Sequence, residues 1–271
     1  MHVIMRDIYS KDDFQAHMDI LATFGLFVGS LIANTLASLA GGGAGLLQLP
    51  LLIFLGLAFS VALATHKVAS VALGLGAAIR HCRSGNLSLA LTVYVTLAGA
   101  AGVIAGANLI LFIPGPTAEG LLGVFIILLG LYSRARKTLG HEADPKHRDT
   151  LGMVIGCVGL SVIGVLNGSL TAGTGLFVTL FLVRWFGLDY KQAVALTLVS
   201  VGLFWNGLGA ITLAIAGAEI YWPWIPALLA GSLLGGYFGA YMADKYSNKL
   251  IKIAFELLTF AVGIKLLVGV L

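Results

Sequence analysis

Charge is scarce in this chain. Only 10% of its 271 residues are Asp, Glu, Lys or Arg, against about 25% in a soluble domain. Cysteine is nearly absent. Cys82 and Cys157 are the only two, they form no C-x-x-C pair, and the six histidines do not cluster with them. Neither a zinc site nor a disulfide framework has support on that count, and no metal or cofactor is indicated. No H-E-x-x-H, paired-aspartate or G-x-S-x-G pattern is present, so an embedded enzyme lacks its acid, base or nucleophile. No basic tract interleaved with aromatics occurs, which argues against nucleic acid as a partner. The hydrophobic runs also lack the period-2 alternation of a membrane β-barrel.

Apolar residues are abundant, at 59% of the chain with a mean hydropathy of +0.99. These values predict an all-α integral protein of a plasma membrane, multi-pass and of bacterial inner-membrane type. Its 36 glycines suit close helix crossing. The net charge of +4 fits basic loops facing anionic lipid. Residues 1–19 carry Arg6, Asp7, Lys11, Asp12, Asp13 and Asp19. That mixture reads as a polar lead-in and does not suit a cleaved signal peptide.

The chain repeats itself. Ser38-Leu39-Ala40-Gly41-Gly42-Gly43-Ala44-Gly45 and Gly168-Ser169-Leu170-Thr171-Ala172-Gly173-Thr174-Gly175 each interrupt an apolar helical stretch, and the glycines align at a shift of 130. Leu97-Ala98-Gly99 matches Leu229-Ala230-Gly231, and Gly106-Ala107 matches Gly239-Ala240. The boundaries are a lead-in at 1–19, a first membrane repeat at 20–133, a charged cytoplasmic linker at 134–150 and a second repeat at 151–271. Each repeat holds a glycine-broken pair of short segments (20–39 and 43–57; 151–168 and 173–187) and three long ones. The short segments read either as thin spans or as re-entrant hairpins. Both leave an odd number of crossings per repeat, so tandem repeats have inverted topology. With the linker inside, 12 of the 16 basic residues fall on the cytoplasmic side, among them Arg80, Arg83, Arg134, Arg136, Lys137, Arg184, Lys191 and Lys245. A parallel repeat of eight crossings fits the charges less well.

Duplicated, interrupted hydrophobic segments point to a transporter's binding site. A helix restarted after each break presents N–H groups and a partial positive charge to an anion. The candidate substrate-binding residues are Asn34, Ser38, Gly41, Gly42, Gly43, Gln48, Thr65, His66, Lys67, Asn167, Ser169, Thr171, Gly173, Thr174 and Asn206. Glycines admit close backbone approach, hydroxyls and amides supply polar groups, and Lys67 supplies charge. His66 is either a proton relay or a packed histidine. The bland reading of the loops is tight helix crossing, and that of Lys67 is snorkelling to the interface. Glu256 lies well inside a span, where it carries a coupled proton or pairs with a nearby lysine.

The run Ala37 to Pro50, with Ala62-Leu63-Ala64-Thr65-His66-Lys67-Val68-Ala69-Ser70 after it, resembles the first-repeat signature of the TauE/SafE sulfite-exporter family. Asn167 to Gly175 resembles the second. His66 stands where that family commonly has Asn, and Asn167 where it often has Asp. The resemblance implies a secondary transporter, usually an exporter, of sulfite, organosulfonates or related small anions. An anion channel, or a permease for another small organic anion, is the alternative. The partners implied are the small anion, the lipid bilayer, a coupled proton or ion, and a further copy of the chain.

With Cys82 and Cys157 removed, a single cysteine at Glu219 is expected to react with an impermeant thiol reagent added outside. One at Glu142 is expected to stay protected; the opposite pattern refutes the inverted topology.

Overall fold

A computed structural model describes residues 11–41, 44–85, 87–110, 115–135 and 140–268. Gly42, Gly43, Arg136, Lys137 and residues 1–10 lie outside this set. The described residues form ten helices: α1 (Lys11–Ala40), α2 (Ala44–Phe54), α3 (Phe59–Ser84), α4 (Leu89–Leu109), α5 (Gly115–Ala135), α6 (Thr150–Ser169), α7 (Thr174–Trp185), α8 (Tyr190–Ile215), α9 (Ile225–Lys245) and α10 (Asn248–Val268). Six of them, α1, α3, α4, α6, α8 and α9, are long and apolar enough to cross a membrane.

The broken pairs are unequal. The second arms have 11 and 12 residues, roughly 17 Å at 1.5 Å per residue, about half a bilayer core. The first arms are full-length, at 30 and 20 residues. The described part of α1 runs from Lys11, inside the stretch read as lead-in, a segment without glycine or proline to interrupt a helix. Other boundaries follow local chemistry. Asp149 and Asp189 cap α6 and α8, accepting from Gly152 N and Gln192 N. Gly85, at φ 73°, closes α3.

α3 and α8 form the centre. In α3, 72% of the span is buried, against 33% in α1. Around them α1 packs chiefly on α9, α4 on α6, and α5 on α10. The close crossings are made by glycine. Gly231, Gly235 and Gly239 of α9 sit on the carbonyls of Phe27, Leu31 and Thr35 in α1. Gly102 and Gly106 of α4 sit on those of Ser161 and Val165 in α6. A Cβ at any of these positions would overlap backbone, so the sequence match at Gly106/Gly239 marks two helix seams. Ser38 Oγ donates across the first seam to Gly236 O (2.8 Å), and Ser161 Oγ across the second to Ala98 O (2.6 Å).

The middle of α8, Leu198–Trp205, is wound as a π-helix, a form found mostly as short insertions at functional sites. Trp205 is fully buried there, its ring over Gly99 and its Nε1 donating to Thr96 O (3.0 Å). At one end of the bundle Arg80 pairs with Asp244 (2.7 Å), and Lys191 Nζ donates to Asp244 O (2.9 Å). These bonds tie α3, α8 and α9 together. Glu256 pairs with Lys252 one turn before it, and Ser133 Oγ of α5 donates to the same carboxylate oxygen (3.1 Å). The arrangement is an ion pair joining α5 to α10.

Gly106→Ala is expected to lower stability by about 1–3 kcal/mol, since the methyl must displace the Val165 carbonyl. Gly25→Ala, which meets nothing within 4 Å, serves as the matched control. Thermal unfolding of both in detergent checks this, and equal midpoints would contradict the seam.

Candidate functional site

The two breaks meet. Gly41 turns α1 off at φ 91°, and its carbonyl accepts from Thr179 Oγ1 of α7 (2.7 Å). A Cβ on Gly45, near the start of α2, would lie 3.2 Å from Thr171 Cγ2 and 3.3 Å from Ala172 Cα in the second break. The same point is 3.2 Å from His66 Nε2 of α3.

The second break is held by its own side chains. Thr171 takes φ 60°, an outlier for a β-branched residue. Its Oγ1 donates back to Asn167 O (2.9 Å), and its own carbonyl accepts from Thr174 Oγ1 (2.8 Å). Gly173 follows at φ 77°, where the absence of a Cβ removes the cost, and α7 starts. Lys67 Nζ reaches across from α3 to donate to the same Asn167 carbonyl (2.9 Å). A cation at the end of α6 is well placed against that helix's negative pole. Lys67 is fully buried, and among the described residues no carboxylate lies within 4 Å of it.

Where the breaks meet there is a small cavity, in which about 30 Å³ can hold the centre of a water molecule. Its polar wall comprises His66 and Ser70 of α3, Asn167 of α6, Thr171, Thr174 at the start of α7, and Thr197 and Asn206 of α8. Gly45 and Gly175 close it at the starts of α2 and α7. Asn167 Nδ2 donates to Thr174 Oγ1 (2.9 Å) and Asn206 Oδ1 (3.5 Å). Asn167 Oδ1 is buried without a partner. Behind the wall, Gln48 Oε1 lies 2.8 Å from His66 Nδ1, and Ser70 Oγ lies 3.0 Å from His66 Nε2. Gln48 Nε2 in turn donates to Ser30 Oγ (2.9 Å) and Ser232 Oγ (3.3 Å).

Two half-length helices starting on one polar cavity inside an apolar bundle is a transporter's geometry, and comparison with known proteins agrees. Residues 26–266 match the family described as sulfite exporter TauE/SafE. The chain belongs to that family. It is 28% identical to a probable membrane transporter protein, ORF9, of a Sinorhizobium species, over 89% of this chain and 91% of that one. It is 28% identical to a probable membrane transporter protein of Haemophilus influenzae (92% and 95% covered) and 26% identical to YfcA of Escherichia coli K12 (89% and 88%), named likewise. No solved structure matches it significantly. The protein is thus a multi-pass membrane transporter of the TauE/SafE family.

Of the residues singled out from sequence, His66, Asn167, Thr171, Thr174 and Asn206 line the cavity, and Gly173 sets the turn beneath it. Gln48 and Lys67 stand one layer back, bonded to His66 and to the Asn167 carbonyl. Four others serve the scaffold. Asn34 Nδ2 donates to Ser30 O (2.7 Å) and Ser232 Oγ (3.1 Å), Ser38 bridges α1 to α9, Ser169 Oγ bonds back to Val165 O (2.9 Å), and Thr65 Oγ1 accepts Tyr221 N (2.9 Å). Gly41 meets Thr179 and Val194. Ser70 and Thr197 are additions to the wall. Ser70 lies one helical turn after His66, a spacing that carried the signal. Thr197 ends the stretch Ala193-Val194-Ala195-Leu196-Thr197, which resembles Val61-Ala62-Leu63-Ala64-Thr65 of the first half.

Gly45→Val is expected to yield a folded, membrane-inserted protein with transport lost, because the branched side chain fills the space between His66 and Thr171. Flux per unit of folded protein, measured beside Gly25→Val, is the check.

Proposed function

We propose that this transporter exports a small sulfur oxyanion, sulfite or a short organosulfonate, and binds it in the cavity between the two breaks. The observation that carries the reading is that α2 and α7 both begin on that cavity, at Gly45 and at Thr174 and Gly175. Each helix start brings backbone N–H groups and a partial positive charge. Lys67 adds an amino group one layer behind, with no carboxylate within 4 Å among the described residues. A compact oxyanion suits a small polar cavity of this kind. The family's name supplies the substrate class, and the geometry supplies the reason an anion is favoured.

On this reading the halves are inverted repeats related by a two-fold axis. Support comes from the exchange of partners, first helix of one half with fourth of the other: α1 with α9 and α6 with α4. The basic-residue distribution places the 134–150 linker in the cytoplasm. Alternating access then needs the scaffold seams to rock about the cavity, with the Arg80–Asp244 tie closing one end.

Reconstituted protein is expected to give saturable sulfite flux; unsaturable conductance would favour a channel, and no flux of either sulfite or an organosulfonate would reject the reading. Lys67→Met is expected to raise the dissociation constant for sulfite about tenfold, equivalent to about 1.4 kcal/mol of lost attraction. Lys67→Arg is expected to retain part of the affinity. Calorimetric titration of the folded variants is the measurement, and an unchanged Lys67→Met affinity would take Lys67 out of the site.

A further inference from the structure

The hydrogen atoms of Thr171, Thr174, Asn167, His66 and Ser70 on the cavity wall can be placed from the network, and each is committed to a protein acceptor. Thr171 donates to Asn167 O, and Thr174 donates to Thr171 O. Because the Thr174 proton is committed, its oxygen can only accept from Asn167, which fixes that amide with Nδ2 toward Thr174 and leaves Oδ1 as an unpartnered acceptor. Gln48 donates through Nε2 to Ser30 and Ser232, so its Oε1 faces His66 Nδ1 (2.8 Å) and Nδ1 carries the ring proton. In the neutral ring Nε2 is then an acceptor, and the Ser70 hydroxyl must donate to it (3.0 Å). These groups show the cavity lone pairs, which is a poor welcome for an oxyanion.

One added proton reverses this. Placed on His66 Nε2, it makes that nitrogen a donor to Ser70 Oγ, and the Ser70 hydroxyl proton is freed to turn into the cavity. The wall gains a hydrogen-bond donor and a positive charge where the anion's oxygens would lie. We propose that His66, oriented by Gln48 and reporting through Ser70, carries one proton with each anion, so that transport is anion–proton symport. The inference rests on the oxyanion reading above and deepens it. No covalent bond other than the N–H forms. The proton comes from the compartment that supplies the anion and leaves on the other side.

Among the described residues on the cavity wall, His66 is the group whose protonation would turn a neighbouring hydroxyl proton toward the anion. Lys67 is the charged side chain beside it. From α2 it meets Gln48, from its own helix Ser70, and across the cavity Asn167, Thr171, Thr174, Thr197 and Asn206, none of which titrates near neutrality. The two positive charges of Lys67 and protonated His66 stand together when an anion occupies the cavity to offset them. Proton and anion binding therefore reinforce each other, and by linkage each raises the affinity for the other equally.

Methanesulfonate is the test probe, being fully ionised at neutral pH, so any proton that accompanies it is carried by the protein. In liposomes loaded with a pH dye, the wild type is expected to move one proton per methanesulfonate. Its affinity in detergent is expected to fall about tenfold per pH unit once His66 loses its proton. His66→Asn and His66→Gln are expected to bind methanesulfonate more weakly, without pH dependence and without proton uptake on binding, which can be read even where flux is lost. Wild-type methanesulfonate flux without proton movement overturns the proposal and leaves the transporter reading intact. So does a folded His66 variant that keeps the wild-type pH dependence. If neither sulfite nor methanesulfonate is moved by the wild type, the oxyanion reading fails and the proposal falls with it.

Discussion

Inside a bilayer an interrupted helix leaves carbonyls and amides with no water to pair them, and each unpaired group costs several kcal/mol. The site is built around meeting that constraint. At the end of α6 the Asn167 carbonyl is taken by both Lys67 Nζ and Thr171 Oγ1, and the Thr171 carbonyl by Thr174 Oγ1. At the end of α1 the Gly41 carbonyl is taken by Thr179 of the other half. Each break is thus completed by side chains, and one partner in each case comes from a different segment. Helix ends that satisfy each other's backbone are held at one place, and that place is the cavity.

The glycine seams make the same point about distance. α9 lies on α1, and α4 on α6, with glycines against carbonyl oxygens. Close approach brings serine hydroxyls within reach of backbone on the neighbouring helix, as at Ser30 with Leu228 O (3.0 Å) and Ser38 with Gly236 O. In a solvent as apolar as the helices themselves, such contacts and van der Waals packing provide the association energy that hydrophobic burial provides in water. α3 and α8, gripped between these pairs, carry His66, Ser70, Thr197 and Asn206 to the cavity. The π-wound stretch of α8 lies immediately before Asn206 and places Trp205 into the space left by Gly99.

Charge in the membrane is divided between two kinds of place. Lys252 and Glu256 neutralise one another beside Ser133, and Arg80 and Asp244 do so at the end of the bundle. The Arg80–Asp244 pair joins α3 to α9, and the Lys252–Glu256 pair, within α10, reaches α5 through Ser133. Lys67 alone among the described buried cations bonds to a carbonyl without a carboxylate nearby, and it does so at the break. This positive charge next to two helix starts is the feature on which the anion reading rests.

Much of this was legible in one dimension. Composition alone required a helical membrane protein, since 59% apolar residues with 10% charge leave no soluble alternative. The paired Gly-rich interruptions raised the expectation of two related halves, and the cavity lies against them, because an unwound segment puts glycine, hydroxyl and amide together in an apolar run. Gly106 and Gly239 stood out as repeat partners, though not as seams, since a glycine's neighbour is fixed by a helix far away in sequence. The roles of individual polar residues depended on rotation about each helix axis. Thr65 and His66 are adjacent, yet one pins the loop at Tyr221 and the other lines the cavity. Asn34 and Asn167 are both buried amides near breaks, yet only Asn167 faces the cavity. A 100° step per residue decides such matters. The direction of each step becomes meaningful only once the partner helices are in place.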